Sequence, residues 1–303
     1  MLGEDAAHVA CDRAMTAALL DVDHVGMTYS VGGLLKRRAI QAVDDVSLRF
    51  ESGKPEILAV IGESGAGKTT LARMILNLAI PTSGAIRFLG SDVTRVRSHR
   101  ERMAFMRRVQ PIFQNPFEAF NPLKRIDRYL FTSARRFMGA RDPVDIEART
   151  DRALRQVGLS LAEVKGRYPH ELSGGQLQRI AIARALIPSP ALIVADEPVS
   201  MVDASLRMSI VNRFKALRDE LEVSIVYITH DLATAYYISD RVLIMQRGKA
   251  VESGNARAVL DNPQHPYSIL LKKAVLSPDD AGKPMPPAGA ATTSSANSVS
   301  NAE

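Results

Sequence analysis

The stretch Gly62-Glu63-Ser64-Gly65-Ala66-Gly67-Lys68-Thr69 fits the pattern G-x-x-x-x-G-K-[ST]. An apolar run at 57–61 precedes it, and apolar residues at helical spacing follow from 70 to 78. Strand, glycine loop and helix therefore come in the order that a phosphate-binding loop requires. Its backbone N–H groups and the start of the following helix would surround a nucleotide's phosphates. We predict that Lys68 lies against the β- and γ-phosphates and that the Thr69 hydroxyl is a ligand of Mg²⁺. An ordinary glycine-rich turn is the alternative.

Length and composition describe a globular protein. The 303 residues can form one large α/β domain or two modest ones, with 46% hydrophobic and 24% charged residues. There is no apolar run of bilayer-spanning length and no signal-peptide pattern, so we expect a cytoplasmic location. The single cysteine, Cys11, excludes an internal disulfide and a cysteine-held metal site. The net charge of +6 could indicate nucleic acid or anionic lipid as a partner, but scattered basic residues on solvated helices explain it as well.

The patterning predicts two sheets and an inserted helical part. Short alternating segments between 19 and 89 indicate a small antiparallel sheet beside a parallel core. Pro111 cannot donate to a sheet ladder, so its strand should be short or at an edge. The region from 117 to 185 is mainly helical and is predicted to be a subdomain inserted into the core. Buried strands then alternate with helices, as in a mainly parallel sheet covered on both faces.

Polar side chains follow three of the predicted strands. Asp196 and Glu197 come directly after the apolar run 191–195, at the sheet edge where open α/β proteins bind ligands. We predict that Asp196 holds Mg²⁺ and that Glu197 orients or deprotonates the water that attacks the γ-phosphate. His230 could bond the γ-phosphate, and Gln114 could contact both Mg²⁺ and the water. Simple exposure of the two acids to solvent is the alternative.

A second phosphate-facing helix start comes at Leu172-Ser173-Gly174-Gly175-Gln176. One nucleotide does not need two such cradles from a single chain. We therefore predict a head-to-tail dimer in which this segment contacts a nucleotide bound to the other subunit. A phosphoryl-transferring kinase would leave this segment without a purpose.

At these residues the chain resembles the ATP-binding subunits of ABC transporters over about residues 20–275. The resemblance implies a Mg²⁺-dependent ATPase with an α/β fold: a P-loop NTPase (RecA-like) core with a mainly parallel sheet, an antiparallel β subdomain and an inserted helical subdomain. It also implies that Tyr29 stacks on adenine and that the segment 200–203 contacts the partner across the dimer. The predicted nucleotide-binding residues are Tyr29, Gly62, Glu63, Ser64, Gly65, Ala66, Gly67, Lys68, Thr69, Thr70, Gln114, Ser173, Gly174, Gly175, Gln176, Asp196 and Asp203.

Four segments are similar to the oligopeptide and dipeptide import subfamily: Glu63-Ser64-Gly65-Ala66-Gly67-Lys68, Gln114-Asn115-Pro116, Tyr168-Pro169-His170-Glu171 and His265-Pro266-Tyr267. Some relatives with these segments carry nickel or oligosaccharides, so those solutes stay open. A soluble ABC-type ATPase acting on nucleic acid or ribosomes is a further alternative, although the coiled coils, zinc-binding cysteines or second ATPase half common there are missing from the sequence. With no C-terminal cysteine, the iron–sulfur cluster of some subfamily members should be absent.

Two departures from the family pattern concern communication across the dimer. Ser200-Met201-Val202-Asp203 replaces the usual Ser-Ala-Leu-Asp, and Leu177 stands where Arg is common.

The predicted organisation is a flexible lead-in (1–18), an ATP-binding domain (19–253, with a helical subdomain at about 117–185), a C-terminal extension of the peptide-transporter type (254–276) and a disordered tail (277–303). The expected partners are a second ATP-binding subunit, identical or related, integral-membrane permease subunits and, indirectly, a solute-binding protein, with no nucleic acid. The expected location is peripheral, on the cytoplasmic face of the inner membrane.

Overall fold

The structure is a computed structural model that describes residues 18–31, 38–96, 98–115 and 119–276. The predicted tail lies outside these ranges, as does the predicted lead-in except for its last residue.

A six-stranded sheet forms the centre of the molecule, in the order β10-β9-β3-β8-β7-β6. Five strands are parallel and β10 is antiparallel to β9. All five residues of β3 are buried, because a parallel strand covered on both faces is apolar throughout. Pro111 lies in the edge strand β6, as predicted. The strands are β3 (Ile57–Ile61), β6 (Val109–Ile112), β7 (Leu192–Asp196), β8 (Ser224–Thr229), β9 (Arg241–Gln246) and β10 (Lys249–Asn255).

A four-stranded antiparallel sheet, in the order β2-β1-β4-β5, lies beside this core. Along the second half of β2 buried Val46, Leu48 and Phe50 alternate with more exposed residues, which is the period of a half-buried strand. The predicted antiparallel sheet is therefore confirmed. Its strands are β1 (Ala18–Val31), β2 (Arg38–Glu51), β4 (Ser83–Phe88) and β5 (Ser91–Asp92).

Helices cover both faces of the central sheet, and short 3-10 turns lie at Val93–Arg95 and Pro169–Glu171. Helix α1 packs with alternate strand residues such as Val60 and Val194, whereas α6 and α7 pack with the intervening ones, such as Ile193 and Tyr227. Thus α1 and α6 lie on opposite faces of the sheet. The helices are α1 (Lys68–Ile75), α2 (His99–Arg108), α3 (Ile126–Met138), α4 (Pro143–Gln156), α5 (Leu161–Val164), α6 (Gly174–Leu186), α7 (Ala204–Leu221), α8 (Leu232–Ile238), α9 (Ala256–Asp261) and α10 (Pro266–Leu276).

Two details differ from the sequence predictions. Helix α1 ends at Ile75, and the left-handed residue Asn77 turns the chain so that Leu78, expected on the buried face, is 62% exposed. Strand β10 was not predicted, and it crosses residue 253, where the ATP-binding domain was expected to end. Helices α9 and α10 continue from it and pack against β3, β9 and α8.

Within the described ranges, no helix is both long and apolar enough to cross a membrane.

Candidate functional site

The phosphate loop joins the central strand β3 to the start of α1. Gly67, the last residue before the helix, has φ of 100°. A Cβ atom at this position would lie 2.2 Å from the Ala42 carbonyl oxygen of β2, so only glycine fits. Gly65 also has a left-handed φ, of 83°, but faces open space. The two sheets therefore meet directly at the loop, and its curl brings N–H groups together at the helix start.

Lys68 is held inside this curl. Its side chain is buried, and Nζ donates to the carbonyl oxygens of Gly62 at 2.7 Å and Glu63 at 2.8 Å. Burial lowers the pKa of Lys68, while the carboxylates of Glu197 and Asp196 act in the opposite direction. The nearby carboxylates therefore do not fully offset the effect of burial on the lysine. A polyphosphate bound at this position would supply further negative charge.

Oxygen ligands for a hard cation line a cavity of about 520 Å³ next to the loop. Its lining includes Thr69, Gln114 and Asp196, the three residues predicted to bind Mg²⁺. Burial raises the pKa of Asp196, although a hydrogen bond with the Thr69 side chain favours the charged form. A hydroxyl, an amide and one carboxylate suit Mg²⁺, which is bound by few protein groups together with water and phosphate oxygens. Sequence analysis did not identify Arg73 and Arg184, which also line this cavity.

Three side chains predicted to act in catalysis meet at the carboxyl edge of the sheet. Glu197 Oε2 accepts from Gln114 Nε2 at 3.1 Å, and Glu197 Oε1 lies 3.3 Å from His230 Nδ1. Glu197 has φ of 46°, unusual for a residue with a side chain, at a cost of about 1–2 kcal/mol. Its N–H donates to the Ile228 carbonyl and its own carbonyl accepts from the Ser200 hydroxyl, and these bonds hold the strained backbone.

The second predicted cradle lies at the start of α6. Ser173 and Gln176 form a capping box: Ser173 Oγ accepts from Gln176 N at 3.2 Å, and Gln176 Oε1 accepts from Ser173 N at 2.9 Å. The side chain of Gln176 is thus used in the cap. The N–H groups of Gly174 and Gly175 have no acceptor within the helix, as is general for a first helical turn. Because α6 and α1 cover opposite faces of the sheet, the structure separates the two cradles.

Comparison with known proteins gives the family. The family described as ABC transporter matches residues 43–200, which is more than half of the chain. The chain belongs to the ABC transporter family. It is an ATP-binding ATPase subunit of that family, as its sequence resemblance implied.

The similar ABC proteins include peptide transport subunits. The chain is 39% identical over 266 residues to the oligopeptide transport ATP-binding protein OppF of Haemophilus influenzae, covering 86% of this chain and 79% of the relative. It is 38% identical to OppF of Bacillus subtilis, covering 88% and 85%. It is also 39% identical to the dipeptide transport ATP-binding protein DppF of Escherichia coli, covering 82% and 74%.

Solved ABC structures confirm the fold. The ATP-binding cassette MJ0796, solved as a dimer in a post-hydrolysis state bound to ADP and Pi, has a TM-score of 0.69 at 26% identity, covering 78% of this chain and 99% of that one. CbiO1 of Clostridium perfringens, part of the ABC transporter complex cbiONQ, has a TM-score of 0.68 at 25% identity, covering 86% and 95%.

Two residues, Tyr29 and Asp203, were assigned through the ABC resemblance alone. Tyr29 is partly exposed on β1, opposite Ile40 of β2, two residues before the Ala42 carbonyl that abuts Gly67. Asp203 is exposed at the start of α7, where its carbonyl accepts from the N–H groups of Leu206 and Arg207.

The departures from the usual ABC sequence have different surroundings. Met201 is exposed, whereas Val202 is buried in the core. Leu177 is fully buried at 0% exposure among the apolar residues of the helical subdomain. The leucine is therefore part of the packing of α6.

A contact that sequence analysis missed joins the C-terminal part of this ABC subunit to the phosphate loop. The N–H group of Glu63 donates to Tyr267 Oη at 3.0 Å. The segment 265–267 was noted only as a subfamily feature, and no local pattern indicates a contact across 204 residues.

Proposed function

We propose that this subunit hydrolyses ATP within a dimer and thereby drives the import of oligopeptides or dipeptides through a separate permease. The observation that carries the hydrolytic part is the meeting of Glu197 with Gln114 and His230 beside the phosphate loop. The peptide substrate is supported by the names of the similar proteins OppF and DppF.

The phosphate loop and Lys68 would bind the triphosphate. Backbone N–H groups from the loop and the first turn of α1 surround the phosphate oxygens, and Lys68 Nζ, with three donors, can turn one of them toward the β- and γ-phosphates. Tyr29 would stack on the adenine. Thr69, Gln114 and Asp196 would hold Mg²⁺, which when bound neutralises charge on the β- and γ-phosphate oxygens.

Glu197 would act as the base in hydrolysis. A water oxygen attacks the γ-phosphorus while the bond to the bridging oxygen breaks, ADP leaves, and the water proton passes to Glu197. Gln114 donates to one carboxylate oxygen and His230 lies 3.3 Å from the other, so they can orient Glu197 and the water and contact the γ-phosphate. Lys68 and the helix N-termini stabilise charge on the phosphoryl oxygens.

The second cradle would serve a nucleotide on another subunit. A nucleotide on the phosphate loop lies at the start of α1, and the central sheet lies between α1 and α6. Ser173, Gly174, Gly175 and Gln176 would therefore close over the partner's ATP, with Asp203 at the contact between subunits. The dimeric cassette MJ0796 supports this arrangement.

A cleft of about 910 Å³ between β6, α2 and α3 suits a permease segment. Five cationic side chains line it, and no carboxylate does so among the described residues: Arg102, Lys124, Arg128, Arg136 and Arg184. Lys124 of its lining comes shortly after the segment that follows Gln114, whose residues 116–118 lie outside the described ranges. A subunit docked there would be peripheral to the cytoplasmic face of the inner membrane, with a solute-binding protein acting through the permease.

The substitution Glu197→Gln tests the hydrolytic assignment. It keeps the size of the side chain but removes the base, so we expect ATP turnover in the assembled transporter to fall about 100-fold or more. Binding of ATP should stay within about threefold of wild type, because the phosphate contacts remain, and light scattering should show a persistent ATP-dependent dimer. Glu220→Gln, at an exposed position on α7, is the matched control and should behave as wild type. Unchanged turnover in Glu197→Gln would remove Glu197 from the role of base.

The solute is tested with the permease and its binding protein reconstituted in vesicles. Dipeptides or oligopeptides should stimulate ATP hydrolysis. Stimulation by nickel or an oligosaccharide instead would overturn the peptide assignment and leave the ATPase assignment intact.

A further inference from the structure

A tyrosine from the C-terminal part of the chain reaches the phosphate loop. Tyr267 is the second residue of α10 and is 4% exposed. Its phenol oxygen accepts a hydrogen bond from the N–H group of Glu63 at 3.0 Å. Glu63 follows Gly62, the first residue of the loop. The contact therefore joins the end of the fold directly to the phosphate-binding segment.

The peptide groups on both sides of Glu63 are fixed by these bonds. The carbonyl oxygen of Glu63 accepts from Lys68 Nζ at 2.8 Å and from Ala66 N at 3.2 Å. The carbonyl oxygen of Gly62, in the peptide group that carries the Glu63 N–H, accepts from Lys68 Nζ at 2.7 Å. Tyr267 thus holds the nitrogen end of a peptide group whose oxygen end holds the lysine. Rotation of that group would break both contacts together.

The position of Tyr267 is itself well determined. Its ring packs in an apolar cluster with Ala59 and Ile61 of β3. Before α10, the carboxylate of Glu252 on β10 accepts from the N–H groups of Gln264 at 2.9 Å and His265 at 3.1 Å. The N–H of Tyr267 in turn donates to His265 Nδ1 at 3.2 Å. Strand β10 therefore fixes the start of α10, and the start of α10 fixes the phenol.

We propose that Tyr267 is a positioning residue for ATP binding: it holds the Gly62–Glu63 peptide group in the orientation that places Lys68. Strand β10 and helix α10 are then a structural part of the ATP site. The proposal rests on the proposed role of the phosphate loop in binding ATP. Tyr267 touches neither Glu197 nor the attacking water in this scheme. Lys68 contacts the phosphates both before and during hydrolysis, so loss of its support weakens binding of ATP and of the transition state about equally, and the effect falls on nucleotide affinity.

The substitution Tyr267→Phe removes the hydroxyl and keeps the ring in its cluster. We expect the Kd for ATP with Mg²⁺, measured on the full chain by calorimetry, to rise about 3- to 10-fold, the range for one lost neutral hydrogen bond. In the assembled transporter KM for ATP should rise similarly, with kcat within about twofold. Hydrogen–deuterium exchange of the peptide containing Glu63 should become faster, because its amide loses an acceptor.

The matched control is Tyr236→Phe. Tyr236 Oη on α8 donates to Asp261 of α9 at 3.4 Å, so this change also removes a hydroxyl between the core and the C-terminal helices without reaching the loop. Its Kd, KM and exchange at Glu63 should equal those of wild type.

An unchanged Kd and KM in Tyr267→Phe would overturn the proposal, even with a lowered melting temperature, because the hydroxyl would then serve stability only. Should Tyr267→Phe not fold, exchange in the wild-type chain decides: protection of the Glu63 amide supports the contact, and exchange at the rate of an exposed amide overturns it. If the proposed function itself were wrong, the wild-type chain would not bind ATP. That result is distinguishable from every outcome for Tyr267→Phe.

Discussion

Asp196 is a partly buried carboxylate, and the position that suits its proposed role in binding Mg²⁺ is costly to the fold. Its carboxylate ends a buried strand, and burial raises its pKa above the ordinary value of 3.8. The charged form that a cation requires is therefore disfavoured by the surroundings that place it. Lys68 is the counterpart, since burial lowers its pKa. Both charges are placed for a ligand that carries the opposite charges.

This conflict predicts that Asp196→Asn stabilises the chain while it removes the proposed Mg²⁺ ligand. A folded-state pKa above the unfolded one gives stability that is full below the unfolded pKa and is lost as pH rises through the folded pKa. Asparagine does not ionise, so the variant does not lose stability in this way as pH rises. Its advantage in the free energy of unfolding over wild type should therefore increase as pH rises from about 4 and level off above the raised folded-state pKa of Asp196, as measured by urea denaturation.

Asp151→Asn is the contrasting control for this experiment. The N–H group of Leu161, which donates at 2.8 Å, and then Arg155 lower the pKa of Asp151. The pKa shift of Asp151 is thus opposite to that of Asp196, and its charged form stabilises the fold. Asp151→Asn should therefore be less stable than wild type at neutral pH. A loss of stability in Asp196→Asn at pH 7 would contradict the account of its burial.

At the scale of elements, helix α6 explains one departure from the family pattern. Leu177 directly follows the second predicted cradle, 172–176, and its side chain is fully buried beside apolar residues of the helical subdomain. The helix is buried on most of its surface because α4, α3 and β6 all pack against it. The leucine fits such surroundings and the arginine common in relatives does not.

The substitution Leu177→Arg should therefore destabilise the chain by about 3 kcal/mol or more, since it places an unpaired charge in an apolar site. Leu177→Met, which nearly conserves volume, should cost less than about 1.5 kcal/mol. Urea denaturation measures both. Equal stability of the two variants would show that this side of α6 opens to solvent.

Elements with strong local signals were predictable from the sequence. The apolar run of β3, the glycine loop and the capping segment 172–176 each carry their structure in adjacent residues. Pro111 indicated an edge strand because it lacks an N–H group. Strand β10 was missed because its residues are mostly polar and partly exposed, so neither an alternating nor a continuous apolar pattern marks it. Helix α1 was predicted too long because an apolar residue at the right spacing, Leu78, lies beyond the turn at Asn77.

The composition of the site was more predictable than its contacts. Residue types and spacing indicated Lys68, Asp196 and Glu197, because each follows a strand at the same sheet edge. The bond between Glu63 and Tyr267 joins distant segments and depends on how β10 turns the chain back toward the loop. Such a contact follows from the packing of the whole fold.

At the scale of the molecule, the central sheet separates the starts of two helices that we propose bind phosphate. The phosphate loop opens α1 on one face, and Ser173 opens α6 on the other. This separation is the basis for the claim that each cradle serves a different nucleotide. A single subunit then contributes one half to each of two nucleotide sites and completes neither.

The substitution Ser173→Arg tests this claim most directly, because the arginine would block the start of α6 without touching the phosphate loop. With the isolated chain, at a concentration where light scattering shows a monomer, we predict a Kd for ATP within about twofold of wild type, whereas Lys68→Ala should lose binding. In the assembled transporter, the same Ser173→Arg change should lower ATP hydrolysis about 100-fold or more, because a cradle for transition-state charge is lost. Weakened ATP binding by the isolated Ser173→Arg monomer, comparable to that of Lys68→Ala, would place both cradles on one nucleotide and contradict the account.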